Sequence, residues 1–373
     1  MSLKENIKNI WSLWHWSTLG LTALLLRFVA SGTPQYIEQF YSRGVFVGVR
    51  WLFDWSLAWL PFPLLLIFYG VMGFFVFKFL KTLISKQVPF RTRLAYAGRN
   101  LLNFVGFMVF SFLILWGFNY ARPSFASQMS LTIEQPDTTA LRQELEIAAM
   151  EAINARQILG NTPLSKMDFP SDFEDKMRAD VSKFLEKNNF QAGGRLRGRE
   201  VSPNGVLFRF GISGIYMPFT GESSIDAALH PLEKPFTMAH ELAHGYGWTE
   251  EATANFIAYL ACIQSDDAYT RYSGYLNYYR YVAANYRRIN PEGYKVFRAA
   301  TLPDGMKQDL GAINKRLTDY PTWFSTDKIN DIFLKSQGVT EGVASYSRIV
   351  VLVYSWRKKQ EYFMKTPLNH QNQ

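Results

Sequence analysis

The chain of 373 residues contains only one cysteine, Cys262, and only five histidines. A single cysteine excludes a disulfide bond within the chain. Cys262 lies in an apolar run with helical spacing, so we expect it to be a small buried side chain. Because histidine is this scarce, two histidines at a regular spacing are improbable by chance and informative where they occur.

Acidic residues are scarce in the first part of the chain. Residues 1–119 carry 11 Lys and Arg against 3 Asp and Glu, whereas residues 120–373 carry 29 against 28. The net charge of +9 therefore comes almost entirely from the apolar N-terminal third, where it indicates membrane topology. Since the polar part has no basic excess, the high pI of about 9.4 does not support nucleic-acid binding.

Three apolar runs near the N-terminus are long enough to cross a bilayer, at about residues 10–30, 57–77 and 101–118. They predict a membrane domain of residues 1–119, followed by a second domain of residues 120–373. A cleaved signal peptide is the competing interpretation of the first run. The length of this run, the presence of Arg27 inside it and the lack of an A-x-A cleavage site after it disfavour that alternative.

The loops predict the orientation in the membrane. The loop between the second and third runs carries six basic residues and no acidic one: Lys78, Lys81, Lys86, Arg91, Arg93 and Arg99. Such a loop is expected on the cytoplasmic side. Alternation then places the N-terminus, with Lys4 and Lys8, in the cytoplasm as well. We therefore expect a multi-pass protein of the cytoplasmic (inner) membrane whose second domain is periplasmic.

The second domain reads as mainly helical with a small sheet. Alternating Val206, Phe208, Phe210 and Ile212 predict a strand over Gly205–Ile215, and residues 216–222 are expected to form a turn or loop. Near the C-terminus, a helix of roughly residues 343–363 is apolar enough to suggest a fourth span. Its basic residues leave too short an uncharged run for a crossing, so we expect a packed helix.

The sequence His240-Glu241-Leu242-Ala243-His244 is the HExxH pattern of zinc metallopeptidases. On a helix, residues four apart lie on one face, so both imidazoles can reach one Zn²⁺ ion. Glu241 then lies where it can activate a zinc-bound water, and we expect it to be the catalytic residue. The alternative is a buried helix that carries two histidines without binding a metal.

A catalytic zinc ion usually has three protein ligands and one open position, so a third ligand is required. Glu250 lies at the spacing of the HExxHxxGxxH pattern, with Glu in place of the last histidine. Glu251 begins an E-x-x-A-N sequence, close to the E-x-x-A-D of gluzincin membrane peptidases. We favour Glu251, because helical spacing puts Asn255 on the same face as a partner that could orient the site.

Other residues near the motif are weaker candidates. Arg271, Tyr272 and Tyr275 could stabilise an oxyanion, although packing alone would explain each of them. His230 is expected to be a loop histidine and not a ligand. The helix after Pro235 should end soon after His244, because Gly245 and Gly247 follow.

The order of parts resembles an uncharacterised family of bacterial membrane proteins, mainly from Gram-negative bacteria, that is classed as a domain of unknown function. The resemblance implies three N-terminal spans followed by a zincin-like domain, and it implies no substrate. Two departures are Gly245-Tyr246, where members have Gln-Arg, and Thr253, where members have a second acid. The matching stretches are Tyr41–Gly44, Trp59–Phe62, Trp116–Tyr120 with Arg122-Pro123, Pro235–His244, Glu251 with Ala254–Phe256, Arg271–Leu276 and Glu341–Arg348.

The sequence therefore predicts an α-helical membrane anchor followed by a mainly α, α+β zincin-like domain. The expected function is that of a gluzincin-like zinc endopeptidase with His240, His244 and Glu251 as ligands of one zinc ion. Its expected partners are the lipid bilayer and peptide segments of envelope or membrane proteins. The alternative is a catalytically silent, zinc-stabilised scaffold or partner-binding protein. A channel or transporter is disfavoured, because only three spans are predicted.

Overall fold

The computed structural model describes residues 3–84, 89–160, 164, 169–323 and 348–365. The protein is mostly helical, with a small mixed sheet of three strands. It divides into two compact units. The first contains residues 1–123 together with residues 217–222, and the second contains residues 124–216 and 223–373. The chain thus leaves the first unit close to the predicted boundary and returns to it once.

The first unit is built from helices. They are α1 (Leu3–Ala30), α2 (Pro34–Tyr36), a π-helix (Ile37–Val45), α3 (Phe46–Ser56), α4 (Leu64–Ile84), α5 (Phe90–Leu115) and a 3₁₀ helix (Gly117–Ala121). Among the described residues, α4 and α5 are the two helices long and apolar enough to cross a membrane. The first predicted span lies inside α1, and its crossing of the membrane remains a prediction.

The second predicted span is displaced along the chain. It was expected at residues 57–77, but α4 runs from Leu64 to Ile84. Pro61 and Pro63 account for the later start, because proline has no N–H and disfavours helical geometry in the residue before it. The Glu222 carboxylate then accepts a hydrogen bond of 2.6 Å from the Leu64 N–H at the first position of the helix. The third predicted span, at residues 101–118, overlaps α5.

Glycines allow α1 and α5 to pack closely. A Cβ atom on Gly20 would lie 2.6 Å from the Gly106 carbonyl oxygen, and one on Gly106 would lie 2.3 Å from the Trp16 carbonyl oxygen. Asn103 adds a polar contact, because its side-chain oxygen accepts hydrogen bonds from both the backbone and the hydroxyl of Ser17. Gly106 and Gly20 thus allow the backbones of the two helices to approach each other closely.

The second unit combines a helical core with the sheet. Its elements are α6 (Phe125–Gln128), α7 (Thr138–Ile158), α8 (Phe173–Lys187), β1 (Arg197–Val201), β2 (Gly214–Met217), β3 (Glu222–Asp226), α9 (Lys234–Gly245), α10 (Glu251–Ile263), α11 (Ala268–Ile289), α12 (Pro291–Thr301), α13 (Asp304–Asp319) and α14 (Ile349–Lys365). Short 3₁₀ helices at Phe208–Phe210 and Pro231–Glu233 complete it.

The C-terminal helix α14 packs into this core, as predicted. Its Ile349, Val350 and Val353 are buried, and the Arg357 guanidinium donates hydrogen bonds to Glu151 on α7 and to the Tyr259 hydroxyl on α10. The C-terminal apolar run, which could have suggested a fourth span, is therefore a packed helix in its described part. Residues 343–347 of that prediction, and with them most of the Glu341–Arg348 stretch, lie outside the described residues.

The predicted strand over Gly205–Ile215 is wrong for most of its length. Gly205 and Gly211 have φ angles of +80° and +75°, and residues 208–210 between them form a 3₁₀ helix. Left-handed glycine conformations interrupt an extended strand. The edge strand β2 begins only at Gly214, and the expected turn region already contains the end of β2 and the first residue of β3. The strand order is β1-β3-β2.

A buried carboxylate organises this turn. Asp226, at the end of β3, is fully buried, and its two oxygens accept hydrogen bonds from four backbone N–H groups, those of Gly205, Leu207, Phe208 and Ala228. An alternating apolar pattern cannot reveal this arrangement, because the acceptor lies far from it in the sequence. The turn leads directly into β2.

We expect Asp226→Ala to lower the free energy of unfolding by at least about 3 kcal/mol, because it leaves four buried donors without their acceptor. The check is the thermal unfolding midpoint of the detergent-purified chain. Asp319→Ala is the matched control, since Asp319 forms an exposed ion pair with Lys315 on α13 that contributes little. Equal shifts in the two variants would contradict the role of Asp226.

Candidate metal centre

Helix α9 presents His240 and His244 on one face, as their spacing predicts. Pro235 lies in its first turn, where the missing N–H costs little. The helix ends at Gly245, and Gly247 adopts a φ of +87°, so the chain reverses there. The Trp248 N–H then bonds to the Ala243 carbonyl oxygen at 3.1 Å. The predicted end of this helix is confirmed.

Three side-chain atoms converge at the centre. The Nε2 atoms of His240 and His244 are 3.1 Å apart. Oε2 of Glu251, from the first turn of α10, lies 3.1 Å from the first of these nitrogens and 3.4 Å from the second. The three side chains are nearly buried. The structure therefore brings together the two histidines and the acid that the sequence favoured.

Hydrogen bonds fix the proton positions on both imidazoles. Nδ1 of His244 lies 2.6 Å from the Trp248 carbonyl oxygen, which can only accept. Nδ1 of His240 lies 2.8 Å from the Asn255 side-chain oxygen, which also accepts from the Tyr281 hydroxyl at 3.3 Å. Each Nδ1 therefore donates a hydrogen bond, and each ring directs its Nε2 toward the other two atoms.

The centre thus brings two imidazole nitrogens and one carboxylate oxygen into contact. Oε2 of Glu251 is buried, and the two Nε2 atoms are its neighbours at 3.1 and 3.4 Å. A buried carboxylate is costly unless positive charge compensates it, which a protonated imidazole or a bound cation can supply. Within the described residues, these three form the one group of His, Cys, Asp and Glu side chains that could hold a metal ion.

The spacing of the three atoms fits a small tetrahedral ion. Ligands bound to one zinc ion at about 2.0–2.1 Å in tetrahedral geometry lie about 3.3–3.4 Å from one another. The three measured separations, 3.1, 3.1 and 3.4 Å, are close to this range. Two imidazole nitrogens and one carboxylate oxygen are also a donor set that zinc accepts.

The charges around the centre favour a cation as well. Burial alone would lower the pKa of His244, but the Glu251 carboxylate, by its charge and a hydrogen bond, raises it to about 9. Burial alone would raise the pKa of Glu251, but the two histidines hold it well below its usual value. The carboxylate is therefore ionised and attracts positive charge to the point that the two imidazoles face.

Glu241 lies beside the three atoms and against the sheet. A Cβ atom at Gly214 in β2 would lie 2.5 Å from its Oε1, so only glycine allows this approach. The backbone of Tyr216 hydrogen-bonds the Glu241 carboxylate, and Ser223 Oγ donates to its carbonyl oxygen at 2.8 Å. Burial raises the pKa of Glu241, against the opposing charge of the two histidines.

Glu250, the competing third ligand, is directed elsewhere. It precedes the first residue of α10, and its carboxylate accepts a hydrogen bond of 2.7 Å from the Thr253 hydroxyl. Its other oxygen lies 3.5 Å from the Arg348 guanidinium. The structure brings Glu251, and not Glu250, to the histidines.

The weaker candidates have other partners. Arg271 donates to the carbonyl oxygens of Ser265 and Asp266, and the Tyr272 hydroxyl donates to Asp309. The Tyr275 ring lies against Tyr259. His230 accepts a hydrogen bond from the Leu232 N–H at the start of a 3₁₀ helix, and burial lowers its pKa to about 4. None of these observations places the four residues at the centre.

Sequence reasoning missed several residues that hold the centre in place. Asn255 was expected beside Glu251, but it bonds to His240. Tyr281, Trp248 and Gly214 were not considered. Tyr281 lies on α11, and its contact with Asn255 depends on how α11 packs, which the sequence pattern does not show. The Trp248 contact is made by a backbone carbonyl, which any residue would supply.

A family model described as a protein of unknown function, DUF3810, matches residues 41–354, which is most of the chain. No curated protein and no solved structure matches. The family match includes His240, His244 and Glu251, the sheet, helices α4 and α5 and the first six residues of α14. The chain belongs to the DUF3810 family.

Proposed function

We propose that the protein is a membrane-anchored zinc metallopeptidase that hydrolyses peptide bonds in envelope or membrane proteins. The observation that carries the proposal is the convergence of His240 Nε2, His244 Nε2 and Glu251 Oε2, with the Glu241 carboxylate beside them. A purely structural metal site needs the first three groups. It has no need for a fourth, buried carboxylate that is not a ligand.

The three ligands would hold one zinc ion and leave a position for solvent or substrate. Zinc in such a site lowers the pKa of a bound water and polarises a carbonyl group. The Nδ1–H groups of both histidines are held by acceptors on the far side, at Trp248 and Asn255. These bonds keep the imidazoles oriented and make their Nε2 atoms better donors.

Glu241 would transfer the protons. It accepts a proton from the attacking water and delivers it to the nitrogen of the leaving amine, as a general base and then a general acid. The carboxylate is held for this task by the Tyr216 backbone and by the close approach to Gly214. Because both contacts come from β2, the strand sets the position of the carboxylate.

The sheet supports a peptide as the substrate. β2 is an edge strand, because it pairs with β3 alone in the order β1-β3-β2. An extended peptide can bind to an edge strand through main-chain hydrogen bonds, without a requirement for particular side chains. Since the backbone of β2 also contacts Glu241, a peptide bound along this strand would pass the proton-transfer group.

The membrane anchor is proposed to comprise α1, α4 and α5. The exposed surfaces of α4 and α5 are largely apolar. The end of α4, the start of α5 and the short segment between them carry six basic residues and no acidic one: Lys78, Lys81, Lys86, Arg91, Arg93 and Arg99. Basic loops remain in the cytoplasm, so the N-terminus would also be cytoplasmic and the second unit periplasmic. Substrates would then be proteins of the envelope or the outer side of the membrane.

One observation favours the competing proposal of a catalytically silent, zinc-stabilised scaffold. His240, Glu241 and His244 are only 9%, 5% and 7% exposed, which suits a structural ion. The two proposals make opposite predictions for Glu241, because a structural ion does not need that carboxylate. Glu241 therefore provides the experiment that separates them.

The third ligand can be tested by metal analysis. We expect Glu251→Ala to lose most of its zinc, because it removes one of three ligands, whereas Glu250→Ala should keep one zinc ion per chain. Both proteins are purified in detergent, loaded with zinc, dialysed and measured by mass spectrometry of the metal. Loss of zinc from the Glu250 variant with retention in the Glu251 variant would show that the assignment is wrong.

Glu241→Gln tests catalysis directly. The variant should fold and keep its zinc, since the amide has the same shape, but it should lose proteolysis by at least about 100-fold, because it cannot transfer protons. Cells that express the wild type and the variant are compared by labelling the new N-termini of membrane and envelope proteins. If the same N-termini arise in both strains, the enzyme proposal fails and the scaffold remains.

Gly214→Ala tests the positioning of Glu241 by β2. The added methyl group would overlap the carboxylate, so we expect zinc binding to persist while the Glu241-dependent N-termini become scarcer by about 10-fold or more. Gly193→Ala is the control, because a Cβ atom there has no neighbour within 4 Å. Unchanged cleavage by the Gly214 variant would show that β2 does not position Glu241.

A further inference from the structure

A second feature of the chain lies in the first unit, in the helical segment from Pro34 to Ser56. The segment consists of α2, the π-helix and α3, which follow one another without a break. Four charged residues interrupt its apolar sequence, Glu38, Arg43, Arg50 and Asp54. It is not among the candidate spans within the described residues. The side chains on its two faces therefore indicate whether water, lipid or protein surrounds it.

The inward face of this segment carries charged side chains beside the buried aromatic residues Tyr41, Phe46 and Phe53. Glu38 is buried and pairs with Arg122 at 2.8 Å and with Arg43 at 2.8 Å. Arg50 is buried as well, pairs with Asp54 at 2.6 Å and donates a hydrogen bond to the Gly221 carbonyl oxygen. These ion pairs include all four charged residues of the segment, which are the residues that make it too polar for a membrane span.

The outward face is apolar and aromatic. Trp51 is 62% exposed and Trp55 is 72% exposed, and their ring centroids are 6.1 Å apart on successive turns of α3. Trp59, just after the helix, is 68% exposed, and Leu52 is also exposed. Tyr36 and Phe40 continue the exposed aromatic surface toward the start of the segment.

The exposed face differs from that of a helix surrounded by water. A helix on a water-exposed surface buries its apolar stripe and exposes its charges. Here the charges are paired inside and the tryptophans point out. An exposed apolar surface of this kind marks contact with a membrane or another macromolecule.

The type of side chain identifies which medium covers the face. The exposed large side chains of α4 are aliphatic or phenylalanine, apart from Tyr69, and none is tryptophan. Those are side chains suited to the hydrocarbon core. Tryptophan instead concentrates where the headgroups meet the acyl chains, because its indole has an apolar body and a polar N–H. The contrast therefore indicates that the exposed side chains of α3 and α4 lie at different depths of the bilayer.

We propose that α3 lies in the plane of the membrane, with Trp51, Trp55 and Trp59 inserted at the boundary between lipid headgroups and acyl chains. The partner is the lipid bilayer itself. Buried pairing of Arg50 with Asp54 removes the charges that would oppose insertion. The inference rests on the membrane anchoring in the proposed function, and it is independent of the metal centre and of catalysis.

Site-directed spin labelling of the full chain tests the proposal. Trp51→Cys and Trp55→Cys are labelled separately in nanodiscs that contain one chain in phosphatidylcholine with phosphatidylglycerol. Oxygen, which concentrates in lipid, and a water-soluble nickel complex report the depth of each label. Val76→Cys on α4 is the control for the hydrocarbon core, and Gln143→Cys on α7 is the control for water. The parent chain gives the background, because its one cysteine, Cys262, is buried.

We expect both α3 labels to have collision ratios between those of the two controls, close to the level of the lipid phosphates. Leu52→Cys provides a third site on the same face if one tryptophan variant folds poorly. Labels that match the Gln143 control would overturn the proposal in favour of a water-exposed helix. Labels protected from both reagents would overturn it in favour of a protein contact. If the Val76 label also matched water, the membrane anchor itself would be wrong, whereas loss of zinc or of proteolysis would affect neither result.

Discussion

Two imidazole nitrogens and one carboxylate oxygen meet within 3.4 Å of one another, an arrangement that could hold a metal ion. The rest of the second unit arranges it. α9 supplies both histidines, the reversal at Gly247 brings α10 back, and the Trp248 carbonyl and Asn255 turn the imidazoles inward. The Glu251 carboxylate is held there next to the two histidines, which keep its pKa well below the usual value. The packing of α9 against α10 therefore positions these three side chains as well as forming the core.

Whether Glu250 or Glu251 reaches the two histidines depends on the residue at which α10 begins. One residue on a helix corresponds to a rotation of about 100°. Because α10 starts at Glu251, this side chain faces α9, while Glu250 stays outside the helix and bonds to Thr253. The metzincin spacing would assign the third position to Glu250. Here the helix restarts first, so the gluzincin-like residue takes the position.

The sequence could predict the convergence of His240, His244 and Glu251, the end of α9 and the packing of α14, because each follows from local spacing. It could not predict the turn around Asp226, because four N–H groups and their acceptor are distant in the chain, and the alternation from Val206 to Ile212 imitated a strand. The contacts of Tyr281 and Gly214 could not be predicted either, since they form only once α11 and β2 are packed. In the first unit, the prolines before Leu64 indicated a delayed helix start but not its position.

The anchor, the edge strand and the buried glutamate have a function together only if the centre binds zinc. Zinc K-edge X-ray absorption of the purified wild-type chain tests that claim most directly, because it reports the atoms bound to the metal. The account predicts one zinc per chain, with two imidazole nitrogens and oxygen donors at about 2.0–2.1 Å and no sulfur. A chain that takes up no zinc, or a zinc shell with fewer than two imidazoles, would contradict it.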